Sequence, residues 1–271
     1  MLRACVIGYP IQQSLSPKIH NYWLNKYDIK GHYTKTEVKP NELGDFVKNA
    51  KKELLGFNIT TPHKEKIISF CDQLSQTAKK VGAVNTVYIK HNKLYGDNTD
   101  VYGIEQCILK NTNKLNKKQA LIIGAGGACR ACLIALKKMG FEKIIIANRT
   151  IEKAKKLSKE FQDEGTLIEA IGLDDLNDNL SCTTLLLNSS SAGMNDKNKL
   201  CINFKNANKD MIVCDIVYKP LITQLLLDAQ KHKLHTIGGI DMLLYQAVAG
   251  FNYWFGVKPV VDKELRKRVL R

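Results

Sequence analysis

The sequence predicts an α/β protein of two domains. Three observations carry the prediction. A strand, helix, strand alternation runs through the first third of the chain. A strand–turn–helix–strand unit with glycines at its turn spans Gln119 to Thr150, and 271 residues are enough for two domains of ordinary size. A hydrophobic content of 44% with 25% charged residues is that of a globular chain and excludes a disordered one.

Taken in order, Arg3 to Ile7 reads as a first strand and Gly8-Tyr9-Pro10 as its turn. Ser14 and Ser16 then precede a helix predicted from Lys18 to about Tyr27, with Pro17 at its first position. Either serine can cap that helix, and by itself capping is the better account of Ser16. A second strand near His32 to Val38, a helix from about Asn41 to Lys52 and a third strand over Gly56 to Thr60 follow. Asn58-Ile59-Thr60-Thr61-Pro62-His63-Lys64 places an amide, hydroxyls and an ammonium at a strand carboxyl end, the edge where open α/β sheets bind ligands. Pro62 fixes the turn, and Lys64 begins another helix whose apolar stripe includes Ile67, Ile68 and Cys71. A lysine at a helix start is equally explained by solvation. Val81 to Tyr88 and Leu94 to Asp100 read as a hairpin joined near His91-Asn92, and Asp100 as the N-cap of a helix from Val101 to Leu109.

In the central unit, Gln119 to Gly124 is a short aliphatic run suited to a strand buried on both faces. Gly124-Ala125-Gly126-Gly127 turns it. From Ala128 the apolar positions Ala131, Cys132, Ala135, Leu136 and Met139 form a helical stripe, Gly140 stops it, and Lys143 to Ala147 is the next strand. Glycines let backbone N–H groups approach a pyrophosphate, whose charge the helix N-terminus also favours. The spacing is Gly-x-Gly-Gly, so the surrounding strand–turn–helix–strand context, more than the motif, carries the nucleotide reading. NAD-binding domains place Asp or Glu at the end of the second strand. Here Asn148-Arg149-Thr150 stands there, with Lys153 and Lys155 close behind. Arg149 can fork onto a 2′-phosphate and stack on adenine, which selects NADP; the competing account is solvated charges opening a helix.

Beyond this unit, Ala154 to Phe161 continues a helix, Thr183 to Asn188 is a strand and Ser189 to Met194 a small-residue loop. Met211 to Tyr218 is a strand running into a turn at Pro220, and Leu221 to His232 an amphipathic helix. Gly238-Gly239 breaks the chain, and Ile240 to Phe255 is a long apolar helix expected to return to the first domain.

The net charge of +15 comes from lysines spread along the chain with no interleaved aromatic platform, which describes a solvated surface attractive to small anions better than a nucleic-acid interface. Of eight cysteines, Cys5, Cys132 and Cys214 fall in buried strands or on an apolar helix face, as reduced core thiols do. Cys129-x-x-Cys132 lies inside a helix with no clustered histidines, which argues against a redox pair and against zinc. No apolar run reaches membrane-spanning length and the N-terminus enters a strand without a signal-peptide pattern, so a cytoplasmic protein is expected.

Ser14-Leu15-Ser16, Gly56-Phe57-Asn58-Ile59-Thr60-Thr61-Pro62-His63-Lys64, Gly82-Ala83-Val84-Asn85-Thr86, Gly96-Asp97-Asn98-Thr99-Asp100, Gly124 to Ala128, Asn148-Arg149-Thr150, Asp215 to Tyr218 and the helix carrying Gln246, in this order, resemble shikimate dehydrogenase over essentially the whole chain. The resemblance implies a substrate domain with a mixed sheet over residues 1–100, completed by the C-terminal helix within 237–271, and a Rossmann-type NADP-binding domain over 101–236, with a cleft where they meet. It implies reversible reduction of 3-dehydroshikimate to shikimate with NADPH, a step of chorismate and aromatic amino-acid synthesis. Small molecules would be the partners, without nucleic acid, membrane or metal, in a monomer or homodimer.

The resemblance also implies site residues. Lys64 would stabilise and protonate the developing alkoxide, and Asp100 would orient Lys64 and bind substrate hydroxyls. Ser14 and Ser16 would bind the substrate carboxylate, and Asn58, Thr60, Asn85, Tyr218 and Gln246 carboxylate or ring hydroxyls. Gly124, Ala125, Gly126, Gly127, Ala128, Asn148, Arg149, Thr150, Lys153, Ser190 with Ser189 and Ser191, Ile216, Gly239 and Met242 would line the cofactor, Met242 near the nicotinamide. Val101-Tyr102-Gly103 departs from the family's Gly-x-Gly after Asp100, serines replace threonine after Asn188, and Gln76 replaces an acidic residue. The alternatives are a quinate/shikimate paralogue that accepts quinate or uses NAD, and a basic nucleic-acid-binding protein carrying a Rossmann domain.

Overall fold

The structure is a computed structural model that describes residues 1–198 and 200–270. The chain divides into two compact units, Met1–Asp100 together with the segment from Leu244 onward, and Val101–Leu243.

In the first unit, β1 (Leu2–Gly8), α1 (Ser16–Lys26), β2 (Gly31–Glu37), α2 (Leu43–Glu53) and β3 (Gly56–Ile59) make a parallel run. A five-residue 3-10 turn over Lys66–Phe70, β4 (Gln73–Leu74), α3 (Gln76–Val81) and the hairpin of β5 (Thr86–Lys90) and β6 (Lys93–Asp97) complete it. The sheet order is β2-β1-β3-β5-β6-β4, and β5 runs antiparallel to both β3 and β6, so the sheet is mixed. Leu43, Val47 and Ala50, one face of α2, pack with Ile7, Phe57 and Ile59. The hairpin turns through His91 and Asn92, both at positive φ (50° and 60°), as a tight two-residue connection requires.

The second unit opens on α4 (Asp100–Asn111), whose first residue closes the first unit. It continues through β7 (Gln119–Ile123), α5 (Gly127–Met139), β8 (Lys143–Ala147), α6 (Ile151–Phe161), β9 (Leu167–Ile171), β10 (Leu185–Asn188), β11 (Ile212–Asp215), α7 (Gln224–Lys231) and β12 (His235–Ile237). All strands are parallel in the order β12-β11-β10-β7-β8-β9, a doubly wound sheet whose winding reverses between β7 and β10. β7, β10 and β11 are buried throughout, which their uninterrupted aliphatic runs dictate for strands covered on both faces. Gly140 ends α5 in the left-handed region at φ +84°, where a side chain would be strained.

The chain ends with α8 (Ile240–Phe255) and α9 (Lys263–Leu270). From Leu244 on, α8 belongs to the first unit: Trp254 Nε1 donates to the Val87 carbonyl at 2.9 Å and the Tyr253 hydroxyl to Asp97 Oδ2 at 2.7 Å. A Cβ on Gly56 would lie 2.2 Å from Trp254 Nε1, so the indole reaches the sheet only across a glycine. The Tyr22 hydroxyl, at 2.9 Å, and the Lys26 ammonium, at 2.5 Å, both donate to Asp262 just ahead of α9. β4, β9, β12, α3 and α9 were not expected from the sequence. Cys5, Cys132 and Cys214 are buried thiols, and burial pushes Cys5 and, in α5, Cys129 up to about 12. Among the described residues no helix is long and apolar enough to cross a membrane.

Candidate active site

In the first unit the register gathers polar residues at one sheet edge. Ile7 pairs with Ile59, Asn58 with Thr86 and Thr86 with Asp97, so the residues after β1, β3 and β6 and those before the antiparallel β5 emerge together. Lys64 Nζ donates to Asp100 Oδ2 at 2.7 Å, their side chains 34% and 14% exposed. Asn85 Nδ2 donates to the other carboxylate oxygen at 2.8 Å. The amide orientation of Asn85 is settled by the Thr99 N–H, which can only donate and lies 2.8 Å from Asn85 Oδ1. Asn58 is buried, accepts from the Tyr33 hydroxyl at 2.6 Å and donates to Thr86 Oγ1 at 2.9 Å. The Thr99 hydroxyl, 3.4 Å from Gln246 Oε1, joins Gln246 to the same network. Thr60 follows β3, its N–H on the Ile7 carbonyl at 2.9 Å and its methyl 2.5 Å from where a Cβ on Gly8 would fall.

Three local expectations are corrected here. Ser16 does not cap α1: Leu15 holds the N-cap position with helical dihedrals, no side chain caps it, and Ser14 Oγ accepts from the Ser16 N–H at 3.3 Å. Lys64 does not begin a helix but lies in the turn ahead of the 3-10 segment, its carbonyl accepting from the Val84 N–H at 2.8 Å. Asp100 is not an N-cap, because it is the first residue of α4 and its carboxylate turns to Lys64 and Asn85. His63 is buried with Nε2 2.7 Å from the Val38 carbonyl, so that nitrogen is committed to the backbone.

In the second unit the carboxyl ends of five parallel strands carry the other set. Gly124, after β7, lies at φ +103°, and a Cβ there would stand 3.0 Å from Ser190 Cβ and 3.1 Å from Ser189 Oγ. A Cβ on Gly126 or Gly127 would meet nothing within 4 Å. Between Ala125 and Ala128, both half-buried, these exposed glycines open α5 with no side chain on its first-turn N–H groups. After β8, Asn148 Nδ2 donates to the Thr150 carbonyl at 2.8 Å, and Arg149, Thr150 and Lys153 are exposed around the start of α6. This open glycine turn beside a strand end bearing cations and no carboxylate fits a dinucleotide with a 2′-phosphate.

After β10, Ser189 Oγ donates to the Ile123 carbonyl at 2.8 Å, and Ser190 donates to Asn188 Oδ1 from N and Oγ at 3.0 and 2.7 Å. Asn188 Nδ2 then donates to Asp215 Oδ1 at 2.9 Å, and Thr223 Oγ1 to Asp215 Oδ2 at 2.6 Å. Burial pushes the Asp215 carboxyl above its ordinary range while these donors pull it back. Ile216 and Tyr218 are half-buried beyond β11, and burial raises the Tyr218 phenol. Gly239 packs so closely on Ile216 that a Cβ would fall 2.3 Å from the Ile216 carbonyl oxygen, and half-buried Met242 follows in the first turn of α8.

The comparisons with known proteins converge. Residues 6–87 match the shikimate dehydrogenase substrate binding domain, 106–240 the shikimate / quinate 5-dehydrogenase family and 239–263 the shikimate 5'-dehydrogenase C-terminal domain. The chain is 40% identical to a shikimate dehydrogenase (NADP(+)) of Bartonella quintana over 99% of this chain and 92% of that protein. The chain belongs to the shikimate dehydrogenase family. A shikimate dehydrogenase (NADP(+)) of Pelagibacter ubique is also 40% identical, over 96% of this chain and 95% of that protein. The fold is that of the family too: a shikimate 5-dehydrogenase of Thermus thermophilus, solved in complex with NADP(H) and shikimate, superposes with a TM-score of 0.88 at 30% identity over 100% of this chain and 99% of that one.

Tyr33, Thr86, Thr99, Asn188 and Asp215 were not picked out as site residues in the sequence. Asp215 had a signal, an acid ending the apolar run Ile212-Val213-Cys214, whereas Tyr33 looks like any strand aromatic.

Proposed function

We propose that this chain is an NADP-dependent shikimate dehydrogenase that catalyses the reversible reduction of 3-dehydroshikimate to shikimate. The observation that carries the proposal is the Lys64–Asp100 pair at 2.7 Å, held by Asn85 at a sheet edge rich in hydroxyls and amides, in a chain of the shikimate dehydrogenase family. Bound NADPH supplies a hydride to the ketone carbon. Lys64 holds its ammonium against the ketone oxygen, stabilises the developing alkoxide and gives it a proton, later regained from solvent. Asp100 keeps Lys64 aimed and accepts from a substrate hydroxyl. Ser14 and Ser16 bind the carboxylate, while Asn58, Thr60, Asn85, Tyr218 and Gln246 pair the remaining polar groups. A site built to pair hydroxyls discriminates strongly against analogues that lack them.

The first unit is the substrate domain and the second the cofactor domain. Gly124 to Ala128 seat the pyrophosphate, Asn148, Arg149, Thr150 and Lys153 hold the 2′-phosphate end, and Ser190, Ile216, Gly239 and Met242 line the rest. The enzyme works in the cytoplasm as a monomer or homodimer. The test is nicotinamide absorbance with purified protein, shikimate or quinate, and NADP or NAD. Rapid NADPH formation from shikimate, with little NADH, is expected; quinate oxidised with NAD in preference would overturn it in favour of the paralogue.

A further inference from the structure

The two asparagine amides in the buried network behind Lys64 are oriented by backbone groups that have no choice of role. The Thr99 N–H fixes Asn85 Oδ1 as an acceptor, and the Thr86 hydroxyl, 3.0 Å from that oxygen and 3.2 Å from the Thr99 hydroxyl, donates to the nearer group, which can only accept. Thr86 Oγ1, its proton committed, accepts from Asn58 Nδ2 at 2.9 Å, and that nitrogen also lies 3.2 Å from the Asn85 carbonyl, which can only accept. Asn58 Oδ1 is thereby left to accept, and its donor is the Tyr33 hydroxyl at 2.6 Å. The protons run one way, from Tyr33 through Asn58, Thr86 and Asn85 to Asp100, which Lys64 meets from the other side. Tyr33 is fully buried in mid-strand, and its ring stacks on His20 at 4.1 Å and an interplanar angle of 14°. Both nitrogens of buried His20 lack hydrogen-bond partners among the described residues, so a neutral ring serves as a packing platform for the phenol.

We infer that Tyr33 is a positioning residue for the reaction, the terminal donor that fixes the Asn58 amide and, through Thr86 and Asn85, the carboxylate that aims Lys64. It touches no reacting group and acts through this chain of hydrogen bonds, its hydroxyl also meeting the Ser16 side chain. Its effect on rate rests on the dehydrogenase reading, whereas its effect on the amides does not.

The experiment compares wild type, Tyr33→Phe and Tyr22→Phe by steady-state kinetics, melting temperature and NMR of the asparagine side-chain NH2 groups. Tyr22→Phe is the structural control, since it also deletes a hydroxyl from this unit, one bonded to Asp262 on the α9 side. Loosening a positioned group costs turnover steeply, so Tyr33→Phe should lower kcat about ten-fold with KM for NADP nearly unchanged. Its Asn58 and Asn85 NH2 protons should exchange faster with solvent than those of wild type. Tyr22→Phe should lower the melting temperature and leave both readouts alone. Unchanged exchange of both amides in Tyr33→Phe would overturn the inference, as would wild-type kcat despite altered exchange. Wild type inactive on shikimate would overturn the dehydrogenase reading instead, and the amide readout would still decide the role of Tyr33 in fixing the network.

Discussion

Asp100→Asn tests the proposed chemistry most directly, because the structure dictates how the new amide must lie. Asn85 presents Nδ2 to Asp100 Oδ1 at 2.8 Å, and it cannot flip while the Thr99 N–H donates to its oxygen at 2.8 Å. The oxygen of the introduced amide must therefore take the Oδ1 position, and its NH2 falls where Asp100 Oδ2 now accepts from Lys64 at 2.7 Å. Two donors then face each other, and an ammonium has no lone pair with which to resolve the clash. The variant loses a charge-assisted hydrogen bond worth about 1.5–3 kcal/mol and displaces the proton donor from its aim, a function worth roughly 10²–10⁴ in rate. Turnover should fall about 10²- to 10³-fold, KM for shikimate should rise several-fold and KM for NADP should hold. Initial-rate measurements on both substrates, with the melting temperature as a check on folding, decide it. A kcat within about three-fold of wild type in a folded variant would refute the assignment of Lys64 and Asp100 as one proton-delivery device.

The other predictions use the same enzyme. Arg149→Ala should raise KM for NADPH about ten- to a hundred-fold, the value of a charge-assisted phosphate contact, and leave weak NADH use nearly untouched; equal losses with both cofactors would refute a 2′-phosphate role. Burial lowers His20 from an ordinary value of 6.5 to about 3, so the unfolded chain binds a proton that the folded one refuses. Stability from this group is complete above pH 6.5 and is lost as pH falls towards 3, by about 3 kcal/mol at roughly pH 4.5. His20→Phe should therefore flatten the acid limb of the melting-temperature profile; an unchanged slope would refute it. Asp215→Asn should keep stability within about 1 kcal/mol of wild type, by denaturant titration, and a loss of several kcal/mol would refute that.

How much of this was legible in the sequence varied with the length over which a physical pattern repeats. The apolar stretch Ile240 to Phe255 is a helix over those same residues, and the aliphatic runs of β7, β8 and β11 are buried strands of a parallel sheet. β4 and β12, of two and three residues, are too short to show a period, and β9 sits half-buried at the sheet's edge. Ile67, Ile68 and Cys71 do have helical spacing, yet the segment is only a 3-10 turn of five residues, because Cys71 is already extended and the Asp72 N–H is taken by the Leu94 carbonyl at 2.9 Å as the chain enters β4. The pairing of Lys64 with Asp100 is a product of strand register across β3, β5 and β6 and has no local signature. Only the resemblance of ordered motifs pointed to it.

The two sheets hold their carboxylates by the same device, and the difference between them bears on the role proposed for Asp100. Asn85 and Asn188 each have an oxygen fixed by a backbone N–H, from Thr99 at 2.8 Å and Ser190 at 3.0 Å, and each turns its NH2 to an aspartate. The second oxygen decides the consequence. In Asp215 it accepts from the Thr223 hydroxyl, a group that can rotate and accept in return, so an amide substitutes without conflict. In Asp100 it accepts from an ammonium that can only donate, so the same substitution inverts the contact. Asp215 is fully buried and surrounded by neutral donors, a setting that secures the loop after β10 against the turn after β11. Asp100 keeps 14% of its side chain exposed beside a lysine 34% exposed, so of these two carboxylates only Asp100 sits in a pair that is both charged and open to a ligand. A carboxylate oriented from behind and an ammonium reachable from the front are what proton transfer to a bound ketone requires.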